Sequence, residues 1–237
     1  MRPEFTAHNI ELPDGTQTRP GAPLIGAEPA TESYLRTLGL FCPPPARVAD
    51  LGCLEGGYAV TFARAGYDVL GIEGQRDNFE VCQWVSDRVQ LANLRFVLDD
   101  VRNIEEHGAF DAVLCAGLLY HLDRPVAFLR TLHNVTRRLL ILNTNFATEG
   151  GHERDVYSLS EELSEHEGAL GRWYEEGVGA WSSIVNRRSF WLERRHLLRA
   201  MIQAGFPTVF EQFDWLSDPV ADRTIEDRVI ACFVGVK

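Results

Sequence analysis

From residue 46 onward the chain alternates two hydrophobic periodicities, and this alternation limits its fold more than any other feature. Short apolar and β-branched runs at 47–51, 68–72, 94–98, 111–115 and 139–142 are separated by helix-length segments or long loops. Three of those segments, 58–65, 78–91 and 126–137, carry apolar residues at helical spacing. A run that is apolar throughout has both faces buried, as the strands of a parallel sheet do. Strands joined through helices make βαβ units, which pack as a mostly parallel sheet covered on both faces. Asp123 is the expected N-cap of the third helix, with Pro125 in its first turn. A last helix over 192–204, stopped by Gly205, precedes two strands near 208–213 and 229–236 that are expected to form an antiparallel hairpin at the sheet edge. The expected fold class is therefore α/β: a doubly wound, mostly parallel seven-stranded sheet with an antiparallel C-terminal strand and a cap insertion.

Two segments stand outside the alternation. Residues 1–45 hold one expected helix, over 32–40, and end in Pro43-Pro44-Pro45, which cannot continue a helix. They read as an N-terminal helical or lid segment ahead of a main domain over 46–237. Residues 144–189 are too long for a structureless connection, and are expected to form a substrate-covering cap with its own short helices.

With 237 residues and 45% hydrophobic content the chain can bury one substantial core, which excludes a disordered protein. No stretch approaches the ~20 apolar residues of a membrane helix, and the first residues are polar, so a soluble, unexported, cytoplasmic protein without a membrane partner is expected. The five cysteines contain no C-x-x-C pair and read as reduced thiols. Twenty-three Lys and Arg against 34 Asp and Glu give a net charge of −11, which disfavours nucleic acid as a partner.

The chemistry sits at the ends of the first four strands. After the first comes Asp50-Leu51-Gly52-Cys53-Leu54-Glu55-Gly56-Gly57, whose small residues allow a tight turn and close approach to a ligand. The second strand ends in Glu73-Gly74, where the carboxylate can accept hydrogen bonds from both hydroxyls of a ribose. The third ends in Asp99-Asp100-Val101, where a carboxylate can accept from an adenine amino group. Three strand ends at these intervals describe an adenosine-shaped cleft at the carboxyl edge of the sheet. The glycines alone would also suit NAD, but Gly52, Gly56 and Gly57 lack the G-x-G-x-x-G spacing of a pyrophosphate-cradling turn.

With these residues the chain resembles the class I S-adenosylmethionine-dependent methyltransferases, a Rossmann-like family, through motifs between about residues 46 and 143. The resemblance implies S-adenosyl-L-methionine as cofactor. It implies that Asp50, Gly52, Cys53 and Gly56 surround the methionine end, that Glu73 and Gly74 meet the ribose, and that Asp100 and Val101 hold the adenine. Cys115, Ala116 and Gly117 would lie beneath the methionine moiety. Leu54 stands where the family usually has glycine, and Glu55 replaces a smaller residue.

Transfer of a methyl group to a hydroxyl needs a base, and His121 in Gly117-Leu118-Leu119-Tyr120-His121 is the catalytic candidate, since an unperturbed pKa of ~6.5 suits proton removal near neutrality. A packing or capping role for His121 is the alternative. Glu149, His152, Glu153 and Asp155 on a glycine-containing loop could bind Mg²⁺ beside the acceptor's hydroxyls, or form a solvated acidic loop. Trp173, Tyr174, Trp181, Phe190 and Trp191 could stack on a sugar or aromatic ring, or simply pack the cap. The expected activity is O-methylation of a hydroxylated small molecule, a saccharide or natural product. The cluster Arg187, Arg188, Arg194, Arg195, His196 and Arg199, with the Leu-Tyr-His motif, leaves open an enzyme that alkylates the wobble uridine of tRNA. A non-catalytic cofactor-binding regulatory module is the third reading.

Overall fold

β1 (Arg47–Leu51) lies between two parallel partners, β2 (Asp68–Glu73) and β4 (Phe110–Ala116). The computed structural model describes residues 2–147, 159–160, 162–179, 181–212 and 230–237. β3 (Leu94–Leu98) extends the parallel sheet beyond β2, and β5 (Thr136–Asn145) extends it beyond β4. β10 (Ile230–Val236) runs antiparallel to β5, and β9 (Thr208–Gln212) antiparallel to β10. The resulting seven-stranded order, β3-β2-β1-β4-β5-β10-β9, is doubly wound and mostly parallel, as expected.

The strands read as apolar throughout because consecutive residues feed two separate cores. Val113, Cys115, Leu140 and Leu142 face α4 (Pro125–Val135) and α5 (Arg194–Ala204). Ala112, Leu114, Leu139 and Ile141 face α1 (Pro29–Phe41), α2 (Gly57–Arg64) and α3 (Arg76–Val89). The first 45 residues share this second core, where Phe5, Ile10, Leu12 and Ile25 are buried with the three helices.

The C-terminal pair lies antiparallel at the sheet edge, as expected: β10 pairs with β5 and β9 forms the edge, and Ala231 and Phe233 bury on one face of β10 with Cys232 and Val234 on the other. Two details differ from the sequence reading. Among its described residues the cap contains a three-stranded antiparallel sheet, not the expected short helices: β6 (Ser164–His166), β7 (Ala169–Glu175) and β8 (Arg188–Leu192). Glu167 at φ 53° and Gly168 at φ 78° close the β6–β7 hairpin, the two positive φ values that a tight two-residue turn matching strand twist requires. Finally, Asp123 does not cap α4. The Glu167 carboxylate reaches across from the hairpin instead and accepts the Val126 and Ala127 N–H groups at 3.0 and 3.4 Å. Asp123 lies 3.7 Å from Arg102.

Among the described residues no helix is long and apolar enough to cross a membrane. The cap turn and α4 form one stabilising contact, so Glu167→Ala should lower stability by about 1 kcal/mol in chemical denaturation. Asp123→Ala should stay within about 0.5 kcal/mol of wild type, as expected for a surface pair.

Candidate functional site

The carboxyl ends of the central parallel strands open into a cavity of about 380 Å³, the position at which ligands bind open α/β sheets. Backbone geometry builds its floor. Gly52 turns at φ 63° and donates its N–H to the Ile72 carbonyl at 2.8 Å, and Leu54 follows at φ 53°. A Cβ on Gly52 would stand 3.2 Å from Leu118 Cδ1, so a side chain would fill a space the turn keeps clear.

Of the residues picked out from sequence, Gly52, Glu73, Gly74, Asp100, Val101, Ala116, Gly117 and His121 line this cavity. Asp50, Cys53, Gly56 and Cys115 do not; they build its support. Gly56 opens α2 at φ 78°, and its Cβ would lie 2.6 Å from Phe96 Cζ. Cys53 Sγ sits 3.8 Å from Cys82 Sγ, and Cys82 in turn donates to the Leu54 carbonyl at 3.0 Å, bracing the turn from behind. Cys115 is buried in the α4–α5 core. Asp50 is buried below the turn with Oδ2 unpartnered, and burial pushes its carboxyl up to about 7.

Glu73 holds two loops at once. Its Oε2 accepts the Leu54 N–H at 2.8 Å and its Oε1 accepts the Gln75 N–H at 2.7 Å. The Asn78 side chain and the Gly74 backbone also hydrogen-bond to the carboxylate, which borders the cavity. Burial raises its pKa, against those backbone hydrogen bonds. Asp100 is engaged by its neighbour: Arg102 Nε and Nη2 reach its two oxygens at 2.9 and 2.7 Å.

The cap contributes the side chain that sequence reading missed. His121 Nδ1 lies 3.1 Å from Glu176 Oε1, across 55 residues of chain. Glu176 is 3% exposed at its side chain. Burial would raise its pKa, but hydrogen bonds from His121 and Ser189 outweigh this and hold it below the usual carboxylate range. A low-pKa carboxylate at Nδ1 selects the tautomer that leaves Nε2 as the basic nitrogen. The β7–β8 loop also lies over the cavity: Gln75 Nε2 donates to the Gly179 and Ser182 carbonyls at 3.3 and 3.2 Å, and Trp181 and Ile184 line the wall. Glu176 is recognisable in sequence only as an acid at the end of an aromatic strand; its pairing is tertiary.

The expected aromatic surface resolves into two roles. Phe190 and Trp191 are buried, Trp173 packs on Phe190, and Tyr174 packs on Trp191, whereas Trp181 is 58% exposed and borders the cavity. The basic cluster is largely partnered: Arg188 pairs with Glu175 at 2.8 Å, Arg195 with Glu193 at 3.4 Å, and Arg194 with Glu211. Glu149, His152, Glu153 and Asp155, the candidate metal ligands, lie outside the described residues. Among the described residues no group of three or more His, Cys, Asp or Glu could hold a metal ion.

The N-terminal segment supplies a wall that sequence reading also missed. His8 and Tyr34 border the cavity beside Tyr58 and Asn143. His8 is 7% exposed, and its Nδ1 accepts the Gly57 N–H at 3.0 Å. Burial lowers its pKa from 6.5 to about 4. The unfolded chain therefore takes up a proton below about pH 6.5 that folded His8 refuses until about pH 4. Stability should fall with pH across that window, and thermal melts of His8→Asn should show a shallower fall than wild type.

Residues 48–138 match the family model described as a methyltransferase domain. A ubiquinone biosynthesis O-methyltransferase of Acinetobacter baylyi is 28% identical over 93 residues, 38% of this chain and 39% of its own length. Another protein of that description, from Rhodopseudomonas palustris, is 25% identical over 217 residues, 85% of this chain and 78% of its own. Among solved structures, the N-terminal domain of EvdMO1 with S-adenosylhomocysteine bound superposes with a TM-score of 0.70 at 25% identity, covering 89% of this chain and 81% of that one. The same domain in the presence of S-adenosylhomocysteine and D-fucose gives 0.72, also at 25% identity, over 94% and 88%. The strand order agrees with these likenesses: residues 48–138 form a methyltransferase domain, and the fold is that of the class I S-adenosylmethionine-dependent methyltransferases.

Proposed function

We propose that the protein methylates a hydroxyl group of a small, uncharged acceptor, a saccharide or a related hydroxylated natural product, with S-adenosylmethionine as donor. The observation that carries this reading is the His121–Glu176 pair on the cavity wall. The names of the relatives support O-methylation, and the D-fucose of one neighbour supports a sugar.

The residues present fit the cofactor. Gly52 leaves the close approach that a Cβ would fill, and the Glu73 carboxylate borders the cavity where the ribose hydroxyls would lie. Asp100 and Val101 would border the adenine, while Gly74, Ala116 and Gly117 would complete the lining; Asp50, Cys53, Gly56 and Cys115 would act through the shape of the turn and the sheet beneath. When bound, the group supplies an electrophilic methyl on a sulfonium.

The chain's own residues then position the acceptor and manage its proton. His121 Nε2 accepts the hydroxyl proton as the oxygen becomes nucleophilic, and the Glu176 carboxylate stabilises the imidazolium that results. Holding acceptor and donor in line supplies much of the remaining acceleration. Trp181 offers a ring face to the C–H face of a sugar, with Ser182, Ser183 and Asn143 as polar neighbours. The Arg102 guanidinium on the wall is committed to Asp100, so an anionic acceptor would find no spare cation there among the described residues.

Isothermal titration calorimetry with S-adenosylhomocysteine should show that Glu73→Ala weakens binding more than tenfold, as expected for loss of charge-assisted hydrogen bonds worth about 1.5–3 kcal/mol each. Wild-type affinity in that variant would remove Glu73 from the site. His121→Ala should lower kcat by about 10²–10⁴ with cofactor affinity nearly unchanged. Glu176→Gln should lower kcat by roughly 10- to 100-fold, the equivalent of one charged hydrogen bond. Retention of full activity in chelator would support this base mechanism, and abolition of activity, restored by Mg²⁺, would move catalysis to a metal held by the acidic loop.

A further inference from the structure

Glu55 stands where this family usually has a smaller residue, and it makes no contact with the cavity. Its carboxylate is buried and turned outward onto the N-terminal segment instead. Oε2 accepts the N–H groups of Ala7 at 3.2 Å and His8 at 2.6 Å, and Oε1 accepts the Thr6 N–H and the Thr6 hydroxyl, the latter at 3.0 Å. Three successive backbone donors on one carboxylate fix the path of residues 6–8 against the glycine turn. That path delivers His8 to the start of α2.

The orientation of the His8 ring follows from its partner. Gly57 N–H is a donor, so Nδ1 must be the acceptor and the proton must sit on Nε2. Nε2–H is thus a fixed donor, on a side chain more than nine-tenths buried that borders the cavity. No hydrogen bond among the described residues engages that nitrogen. It lies next to the first turn of α2, whose dipole favours negative charge. Burial keeps the ring neutral against the pull of the Glu55 charge, and leaves directed donation as its role.

We propose that Glu55 and His8 form a carboxylate-recognition site, in which the Glu55 clasp positions His8 and His8 Nε2–H donates to the carboxylate of the cofactor's amino-acid end. The proposal rests on the cofactor reading above and adds the residues that recognise that end. His8 lines the same cavity as Glu73 and Gly52, and it is seated against Gly57 and Tyr58 directly after the glycine turn.

Calorimetry on the full chain separates the possibilities, with S-adenosylhomocysteine and its decarboxylated analogue as probes. The analogue keeps adenosine, sulfur and amine but lacks the carboxylate. His8→Asn preserves an acceptor in place of Nδ1 and removes the Nε2 donor; it should weaken S-adenosylhomocysteine binding tenfold or more and leave the analogue within about twofold. His8→Gln, whose amide N–H can reach the Nε2 position, should restore most of the difference. Glu55→Gln should show the same preference for loss with the carboxylate-bearing ligand. Equal loss for both ligands, or no loss in His8→Asn, would overturn the proposal. Failure of wild type to bind S-adenosylhomocysteine would instead overturn the cofactor reading, and this proposal with it.

Discussion

One buried carboxylate ties the loop after β1 to the loop after β2. Glu73 ends β2, and its two oxygens accept one N–H from Leu54 and one from Gln75. Without those acceptors two part-buried backbone donors would lose their partners, at a cost of about 1 kcal/mol each. The positive φ values at Gly52, Leu54 and Gly56 are sustained by this link and by the sulfur contacts beneath the turn. The same carboxylate must therefore be ionised or a strong acceptor to hold the floor in shape. The binding role proposed for Glu73 would thus fall on a side chain that already shapes the floor, which is why its exchange cannot be read as a change in binding alone.

Much of this was legible in the sequence because it is local. The five apolar runs, the glycine turn and the acids at strand ends are properties of a few adjacent residues, and the sheet order follows from packing rules that leave few alternatives. What stayed hidden is tertiary. Glu176 meets His121 only because a cap hairpin folds back over the mouth of the cavity, and His8 meets Gly57 only because Glu55 captures three N–H groups of a distant segment. The N-cap of α4 shows the same limit: Asp123 has the right type and spacing, yet Glu167 from the cap wins because its turn places Oε2 on the Val126 and Ala127 N–H groups while Oε1 meets the Arg124 side chain.

The cap misled for a different reason. Its β7 strand, Ala169–Glu175, mixes an aromatic pair with arginine and glycine, so neither a helical stripe nor a clean alternation stands out. Gly171 is decisive there. A Cβ at that position would come 2.2 Å from the Trp191 carbonyl, so the close approach of β7 and β8 requires glycine. Two neighbouring positive-φ residues then set the hairpin. Chemistry of single positions, rather than periodicity, specifies this part of the molecule.

The contact between the cap loop and the β2–α3 turn has a structural consequence. Ile184 Cδ1 lies 2.6 Å from where a Cβ on Gly74 would stand, and Gln75 is hydrogen-bonded to the same loop. The loop that carries Trp181 is thus seated on the residue following Glu73. Any side chain at position 74 would have to displace Ile184, so the glycine that follows the strand-end carboxylate also fixes the height of the opposite wall, and the width of the cavity is set by a position with no side chain.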